Sequence, residues 1–508
     1  MTSNPAAAVR MLVIYSICVP LAALVGWMAC NQMDFGTLGF FGLIAAVLIS
    51  PLIIQYHYPL MVFGLGAPVY CFFLKGNPPL WQVVVIVSLG VAVIDRTLNS
   101  EKRFLSVPTM TWPLLFTLAV TWATSQMTGG IGLKTLGGAV GGGKKYLALF
   151  IGVAIYFALT SRVIPRHQRK LYIVLFFLAG LPSFLSDMFP FLPTPLNYIN
   201  LLIPPSGNLL QEGATRFGSF ASTASVIATY MLVRYGLTGI LSFNRPIRFL
   251  TFFAMLVLTM IGGYRIVLIS YICILTMLFF LEGLHRTSLM MIAIFGVLVG
   301  GTLMVPFADK LPTSFQRTLS FLPFIKIDEQ VMMDADGSKK WRERMWADTW
   351  PKVPQYLLLG KGYSLSEDDY QMMGQGAFVN GKASQMDASM DSLAISGDYH
   401  NGPLSTLMPF GIWGAVAFIW VAGATLFVLY RNYRYGDPEL KTVNAYLLVA
   451  GIQRTWGFFV LFGSFSDDIG GFARYAGLSI AMNWCICGPA KESRTVQRIK
   501  PLPTPQPA

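Results

Sequence analysis

His400 is one of only four histidines in the chain, with His57, His167 and His285, and it closes the run Asp398-Tyr399-His400-Asn401. A histidine near its solution pKa can take a proton from a hydroxyl at neutral pH, so this side chain is suited to activate an alcohol nucleophile. An interfacial histidine with no chemical role is the alternative that position alone leaves open. Two arginines also stand out. Arg216 lies in Thr215-Arg216-Phe217-Gly218-Ser219-Phe220 and Arg265 in Gly262-Gly263-Tyr264-Arg265, each at the edge of an apolar run. An arginine within a spanning helix costs about 2.5–3.5 kcal/mol, so it snorkels, pairs or binds an anion. A guanidinium is always charged and its fork matches phosphate oxygens, so two at one membrane face could grip a diphosphate. Arg317, Arg342 and Arg344 add positive charge between these positions, where a solvated face is the default reading. Arg234 and Arg454 lie deeper in apolar runs, and Arg454 is followed by Asp467 and Asp468, which makes internal pairing the plain reading.

His400 ends a polar stretch that begins at Asp309 and holds 13 of the 24 acidic residues. The rest of the 508-residue chain is apolar: 54% of all residues are hydrophobic, 12% are charged and the mean hydropathy is +0.57. Soluble domains carry about a quarter charged residues. About fourteen segments reach the roughly twenty apolar residues a spanning helix needs. They include 35–54, 57–74, 171–187, 249–263, 266–283, 403–430 and 472–488. Long continuous runs exclude a β-barrel, whose strands alternate. The expected fold is therefore an all-α polytopic membrane protein with about 12–14 transmembrane helices and one large outer loop containing short helices. Residues 1–308 would be N-terminal spans, 309–400 the loop, 401–488 C-terminal spans and 489–508 a disordered tail.

The net charge of +13 is carried by short loops near Arg96, Arg162, Arg245, His285 and Arg431 and by the tail, all on one side if the spans alternate. That is the positive-inside pattern, so this side is the cytoplasm and no nucleic acid is implied. The loop 309–400 then lies outside. Within it Lys339–Trp350 reads as a helix with Ser338 as N-cap and Pro351 and Pro354 at its end. Arg342, Trp346 and Trp350 share one face of it, as in an interfacial helix or lid.

Other chemistry is excluded. Gly138–Lys145 approaches a phosphate-binding loop but lacks the Ser or Thr that would hold magnesium. Asp334-Ala335-Asp336-Gly337 starts like a calcium loop and then breaks the ligand spacing. No zinc pattern appears, the six cysteines lie almost all in apolar runs, and no cofactor is implied.

Several of these residues form a pattern. His400-Asn401-Gly402-Pro403-Leu404 with Gly411-Ile412-Trp413-Gly414 resembles the helix that follows the large periplasmic loop in bacterial O-antigen ligases and polymerases. Arg342-Glu343-Arg344-Met345-Trp346, Pro354 and Gly360-Lys361-Gly362-Tyr363 are similar to that loop, and the Arg216 and Arg265 segments resemble two of the family's helix openings. The resemblance covers roughly 205–415, and it departs in the number of spans and in Ala221-Ser222-Thr223, where Asn-Pro is common. It implies a metal-independent membrane glycosyltransferase of the inner membrane whose site faces the periplasm. The donor would be a glycan on undecaprenyl diphosphate, and the acceptor a glycan or the lipid A-core, with membrane lipids around both. His400 would be the base, Arg216 and Arg265 would hold the diphosphate, and Arg342, Arg344, Trp346 and Asn401 would contact substrate. A transporter or lipid-linked glycan flippase would be expected to show internal repeats, and none is visible. A peptidoglycan polymerase of the shape and division type would be expected to use a carboxylate in place of the histidine.

Overall fold

The computed structural model describes residues 35–74, 76–99, 104–129, 142–204, 217–242, 244–322, 325–364 and 397–487, with isolated positions between 15 and 26. Among them the chain is helical, and its one β feature is an isolated bridge between Tyr70 and Pro79. The first helices are α1 (Phe35–Gly64), α2 (Leu80–Leu98), α3 (Pro108–Thr128), α4 (Gly143–Leu159) and α5 (Arg169–Phe177). There follow α6 (Gly218–Ile240), α7 (Pro246–Thr259), α8 (Arg265–Leu281), α9 (Leu289–Met304), α10 (Thr313–Leu319) and α11 (Glu329–Thr349). The last are α12 (Gly402–Tyr435), α13 (Lys441–Val460) and α14 (Phe465–Cys487).

Among the described residues, three helical stretches are long and apolar enough to cross a membrane: Leu80–Leu98, Arg166–Phe191 and Gly402–Tyr435. Shorter apolar helices run over Pro246–Gly262, Arg265–Leu281 and Leu289–Thr302. On α9 the side chains of Met291, Phe295 and Leu298 are all exposed, and a helix apolar all round with an uncovered surface belongs in lipid. The expected pair of spans at 35–54 and 57–74 is instead one helix, α1, bent at Tyr56 between Pro51 and Pro59. Each proline removes one backbone bond and bends the helix without ending it. After Gly64 the chain is no longer helical until Leu80.

The core is built around α12, which packs on α3, α13 and α14, while α4 lies along α14. Gly152 meets Gly470 where α4 and α14 approach most closely. Charged side chains inside this bundle are used as helix caps or pairs. Asp187 is fully buried and accepts the Ser219 and Phe220 amides (2.8 and 2.9 Å) at the start of α6. Glu282 does the same for Leu237 and Thr238 (2.8 and 2.7 Å), where α6 is interrupted at Gly236. Arg454 pairs with Asp468 at 2.7 Å, as its sequence position suggested. At the opposite end of the bundle, Arg169 holds Asp437 at 2.6 Å beside the side chains of Asn432, Asn444 and Asn483.

The polar stretch after residue 309 is fastened to an interruption in α12. Gly411 (φ 61°, ψ −153°) breaks that helix one residue after Phe410, which frees backbone groups in the middle of the protein. Residues 357–363 take them up. The Lys361 amide donates to the Met408 carbonyl (2.6 Å), the Gly362 amide to Pro409 (3.0 Å), and the Ile412 amide to Leu357 (2.7 Å). Glycine is required here by close approach: a Cβ on Gly360 would stand 2.1 Å from the Pro409 oxygen, at a φ of +74°.

The loop helix is longer than expected. α11 starts at Glu329, ten residues before Lys339, and Asp328 caps it through the Gln330 amide (2.8 Å). Ser338 is inside the helix. Asp334 to Gly337, which starts like a calcium loop in sequence, is helical here: Asp334 is held by Arg317 from α10, and that tertiary pairing outweighs the weak helix propensity of Gly337.

A Gly360→Ala chain should lose about 3 kcal/mol of stability, from a side chain forced into both a positive φ and an occupied space. Gly423→Ala, on α12 with nothing within 4 Å of its Cβ, should stay within about 1 kcal/mol of wild type. Thermal unfolding of the purified proteins in one detergent compares them; equal midpoints would show that the fastening is not needed.

Candidate functional site

His400 is held from three sides. The residue before it, Tyr399, is buried among Met345, Val353, Leu404 and Met408. Its carbonyl accepts the Trp346 indole N–H at 2.8 Å, and its amide donates to Ser405 Oγ at 3.4 Å. The residue after it, Asn401, is the N-cap of α12, with Oδ1 accepting the Leu404 amide at 3.0 Å. Between these anchors His400 sits at φ +48°, and its amide donates to Asp398 Oδ1 at 3.3 Å. Few side chains adopt this backbone region, although histidine does so more often than most.

The ring lies against Phe462 (centroids 4.6 Å apart, 31° between planes) and near Trp341 (5.6 Å). Its Nδ1 is buried without a hydrogen-bond partner and stands 3.6 Å from Asp398 Oδ1. Burial lowers the imidazole pKa, the Asp398 carboxylate raises it and the Arg342 guanidinium lowers it, and the balance falls below the ordinary value of 6.5. His400 is therefore a neutral base at pH 7. Tyr399 beside it is pushed up to about 12, mainly by burial, and stays protonated.

On the other side of Phe462 opens a cleft of about 500 Å³. Its walls are Gly263 to Ile266, Arg317, Lys339, Arg342 and Leu461, with Phe462 as the partition shared with His400. Among the described residues, four cationic side chains and no carboxylate line it. Gly263, in the left-handed conformation (φ 68°, ψ 18°), separates α7 from α8 and lets α8 begin at the cleft wall with no side-chain cap. The free amides of a helix start favour an anion. Arg265, the first residue of α8, donates to the Ala335 carbonyl at 3.2 Å, so α11 is tied across the cleft to α8. Arg342 projects from α11, its Nε buried with no partner. Burial and then Arg265 both lower the Arg342 pKa, so the two cations repel each other. An anion placed between them would relieve that repulsion.

The structure thus brings together His400, Arg265, Arg342 and Trp346 from the residues singled out in sequence. Arg216 lies outside the described residues. Arg344 is exposed and does not line the cleft. Asn401 uses its carbonyl oxygen as a helix cap. Arg317, read as a solvated surface charge, is 8% exposed and paired with Asp334, because α10 packs against α11. Lys339, Trp341 and Phe462 were missed. Lys339 and Arg342 are three apart on one helix, which is a legible signal; Phe462 has none, since it reaches the site only by the turn after α13. Among the described residues no three His, Cys, Asp or Glu side chains gather as a metal site.

Residues 250–419 match a family described as O-antigen ligase. Arg265, Arg342, Trp346 and His400 fall inside the match and Arg216 falls before it. No curated protein shows significant similarity to the chain.

His400 should titrate below the ordinary histidine range in the full-length protein, as read by NMR of ring-labelled histidine. Arg342→Gln removes a lowering charge and should move the midpoint up; Asp398→Asn removes a raising one and should move it down. Shifts in the opposite directions would refute the described surroundings of the ring.

Proposed function

We propose that this chain, whose residues 250–419 match the O-antigen ligase family, transfers or polymerises glycan from an undecaprenyl-diphosphate-linked donor onto an acceptor hydroxyl at the periplasmic face of the inner membrane. The family and the apolar helices make it an integral membrane protein with a glycan-ligating or glycan-polymerising function. Donor, orientation, metal independence and residue roles are the proposal. The acceptor is a glycan or the lipid A-core, and the loop from 309 to 400 covers the site from the periplasm. We take the helices to form a polytopic bundle of about 12–14 spans with both ends in the cytoplasm, a reading that the apolar helices and the basic short loops support.

The observation that carries this reading is the cationic cleft that shares the Phe462 wall with His400. The cleft suits a diphosphate, and the neighbouring imidazole suits a hydroxyl. In the reaction the acceptor hydroxyl gives its proton to His400 as its oxygen bonds to the anomeric carbon. The bond from that carbon to the diphosphate oxygen breaks on the opposite face, and the lipid diphosphate leaves with the electron pair. Asp398, nearest Nδ1, favours the tautomer with hydrogen on Nδ1 and leaves Nε2 as the base. The 3.6 Å separation closes when substrate completes the site. Arg265, Arg342 and the start of α8 meet the charge that gathers on the leaving diphosphate, and Arg317 and Lys339 extend that field. Trp346 acts through the backbone, holding Tyr399 and so His400 in place. Arg216 would join Arg265 from the opening of α6. The role of Arg344 would be in the acceptor path, outside the cleft.

Deletion of the gene followed by complementation tests this. His400→Ala should lower glycan transfer about 10²–10⁴-fold while the protein stays inserted. Arg265→Ala and Arg342→Ala should each cost about 10²-fold. Long lipid-linked glycan accumulating beside uncapped core would identify a ligase; products one repeat long would identify a polymerase. Normal surface glycan from a well-inserted His400→Ala protein would contradict the proposal.

A further inference from the structure

A second cationic cavity lies at the other end of the bundle. α4 follows its N-cap Gly142, whose Cβ position would meet the Tyr363 carbonyl beside the loop anchor, and ends at Leu159. Its 17 residues carry the chain about 25 Å away, to Arg162. There a cavity of about 380 Å³ is lined by His57, Asp95, Arg96 and Arg162, with Phe104 and Ser161 at its edge. A groove of about 560 Å³ runs on from it, sharing Arg96 and Phe104. The groove walls are mainly apolar, with Leu89 and Val93 from α2, Leu105, and Phe157 from α4, and they also carry Ser106 and Thr111.

The two arginines are positioned but not neutralised. Arg96 lies over the Phe104 ring at 5.4 Å and Arg162 over the Tyr58 ring at 5.3 Å. A guanidinium laid on a ring keeps its N–H edge for another partner. Both side chains are exposed, and neither makes an ion pair among the described residues. Their neighbours at this end differ: Arg166 and Arg169 are both within reach of Asp437. Asp95 accepts the Asn99 side-chain amide at 3.1 Å, and His57 Nδ1 is 2.8 Å from Ser88 Oγ. Among the described lining residues, two arginines stand against one carboxylate, an excess of one positive charge. That matches the single negative charge of a phosphodiester.

We propose that this cavity and groove form a binding site for an anionic phospholipid of the surrounding membrane. The phosphodiester sits between Arg96 and Arg162, and an acyl chain lies along the groove wall formed by α2 and α4. A cationic pocket between helices on the cytoplasmic side is the kind of site that selects lipid headgroups, and selection here comes from charge because acyl chains are at home in any lipid. The site is remote from His400 and serves as a clamp on α2 and α4, not as a second reaction centre. It rests on the helices crossing a membrane and not on the transfer reaction.

Native mass spectrometry of the full-length protein, titrated in detergent with palmitoyl-oleoyl phosphatidylglycerol or phosphatidylcholine, tests this. One phosphatidylglycerol per chain should bind saturably and at least tenfold more tightly than phosphatidylcholine. Arg96→Gln/Arg162→Gln should lose that preference. Ser106→Trp, which fills the groove and keeps both arginines, should weaken phosphatidylglycerol as well. Glycerol phosphate at millimolar concentration should not displace the lipid. Retained preference in the double variant, an equal loss in Arg431→Gln/Arg434→Gln, or displacement by glycerol phosphate would overturn the site. A double variant that does not fold is replaced by Arg162→Gln alone, which should halve the preference or more; no change would count against the site. Glycan transfer by the folded variants at saturating donor is expected to persist, so loss of the lipid preference and loss of the reaction at His400 are read separately.

Discussion

The arrangement depends on a gap in one helix. α12 is interrupted at Gly411, and the backbone groups left there inside the protein must find partners. They find them in residues 357–363, so the end of the polar loop becomes part of the bundle instead of hanging outside it. Gly360 and Gly362 let two backbones come together where side chains would collide. Everything else at the site follows from that attachment. Tyr399 is buried under α11, His400 is pinned just before α12, and α11 is held over the start of α8.

The second constraint is electrostatic. Several charges within the bundle are paired or used as caps: Asp187 and Glu282 cap α6, Arg169 holds Asp437, and Arg454 holds Asp468. The cleft beside His400 differs from these places. Arg265 and Arg342 approach each other with no carboxylate on the cleft wall. Stability alone does not favour such an arrangement, and a bound anion gives it a reason. Burial is the main cause that lowers the pKa of His400; Asp398 opposes it and Arg342 adds to it, so the cleft's charge contributes to keeping the base unprotonated.

Much of this was legible in sequence, and the misses are informative. The apolar runs, the histidine at the end of the polar stretch and the importance of Arg265 came from composition, position and resemblance. The pairing of Arg265 with Arg342 did not, because it joins residues 77 apart through the docking of α11. Asn401 was read as a substrate ligand, and its cap role needs the helix start to be known. The Gly-Lys-Gly segment at 360–362 was a motif without a mechanism until the break in α12 was seen. The runs 35–54 and 57–74 were read as two spans, although the stretch from 35 to 64 is one helix bent between Pro51 and Pro59, which neighbouring helices tolerate. Arg317 was assigned to a surface because nothing in sequence places α10 beside Asp334.

The central claim is that Arg265 and Arg342 act on one anion together. The most direct test is a double-mutant cycle on the affinity of the full-length protein for undecaprenyl diphosphate, using Arg265→Gln, Arg342→Gln and both. A shared diphosphate predicts coupling of about 1 kcal/mol or more, with the double variant binding little worse than the weaker single one. Losses that simply add, to within about 0.5 kcal/mol, would mean the two arginines do not hold the same group and would contradict the account.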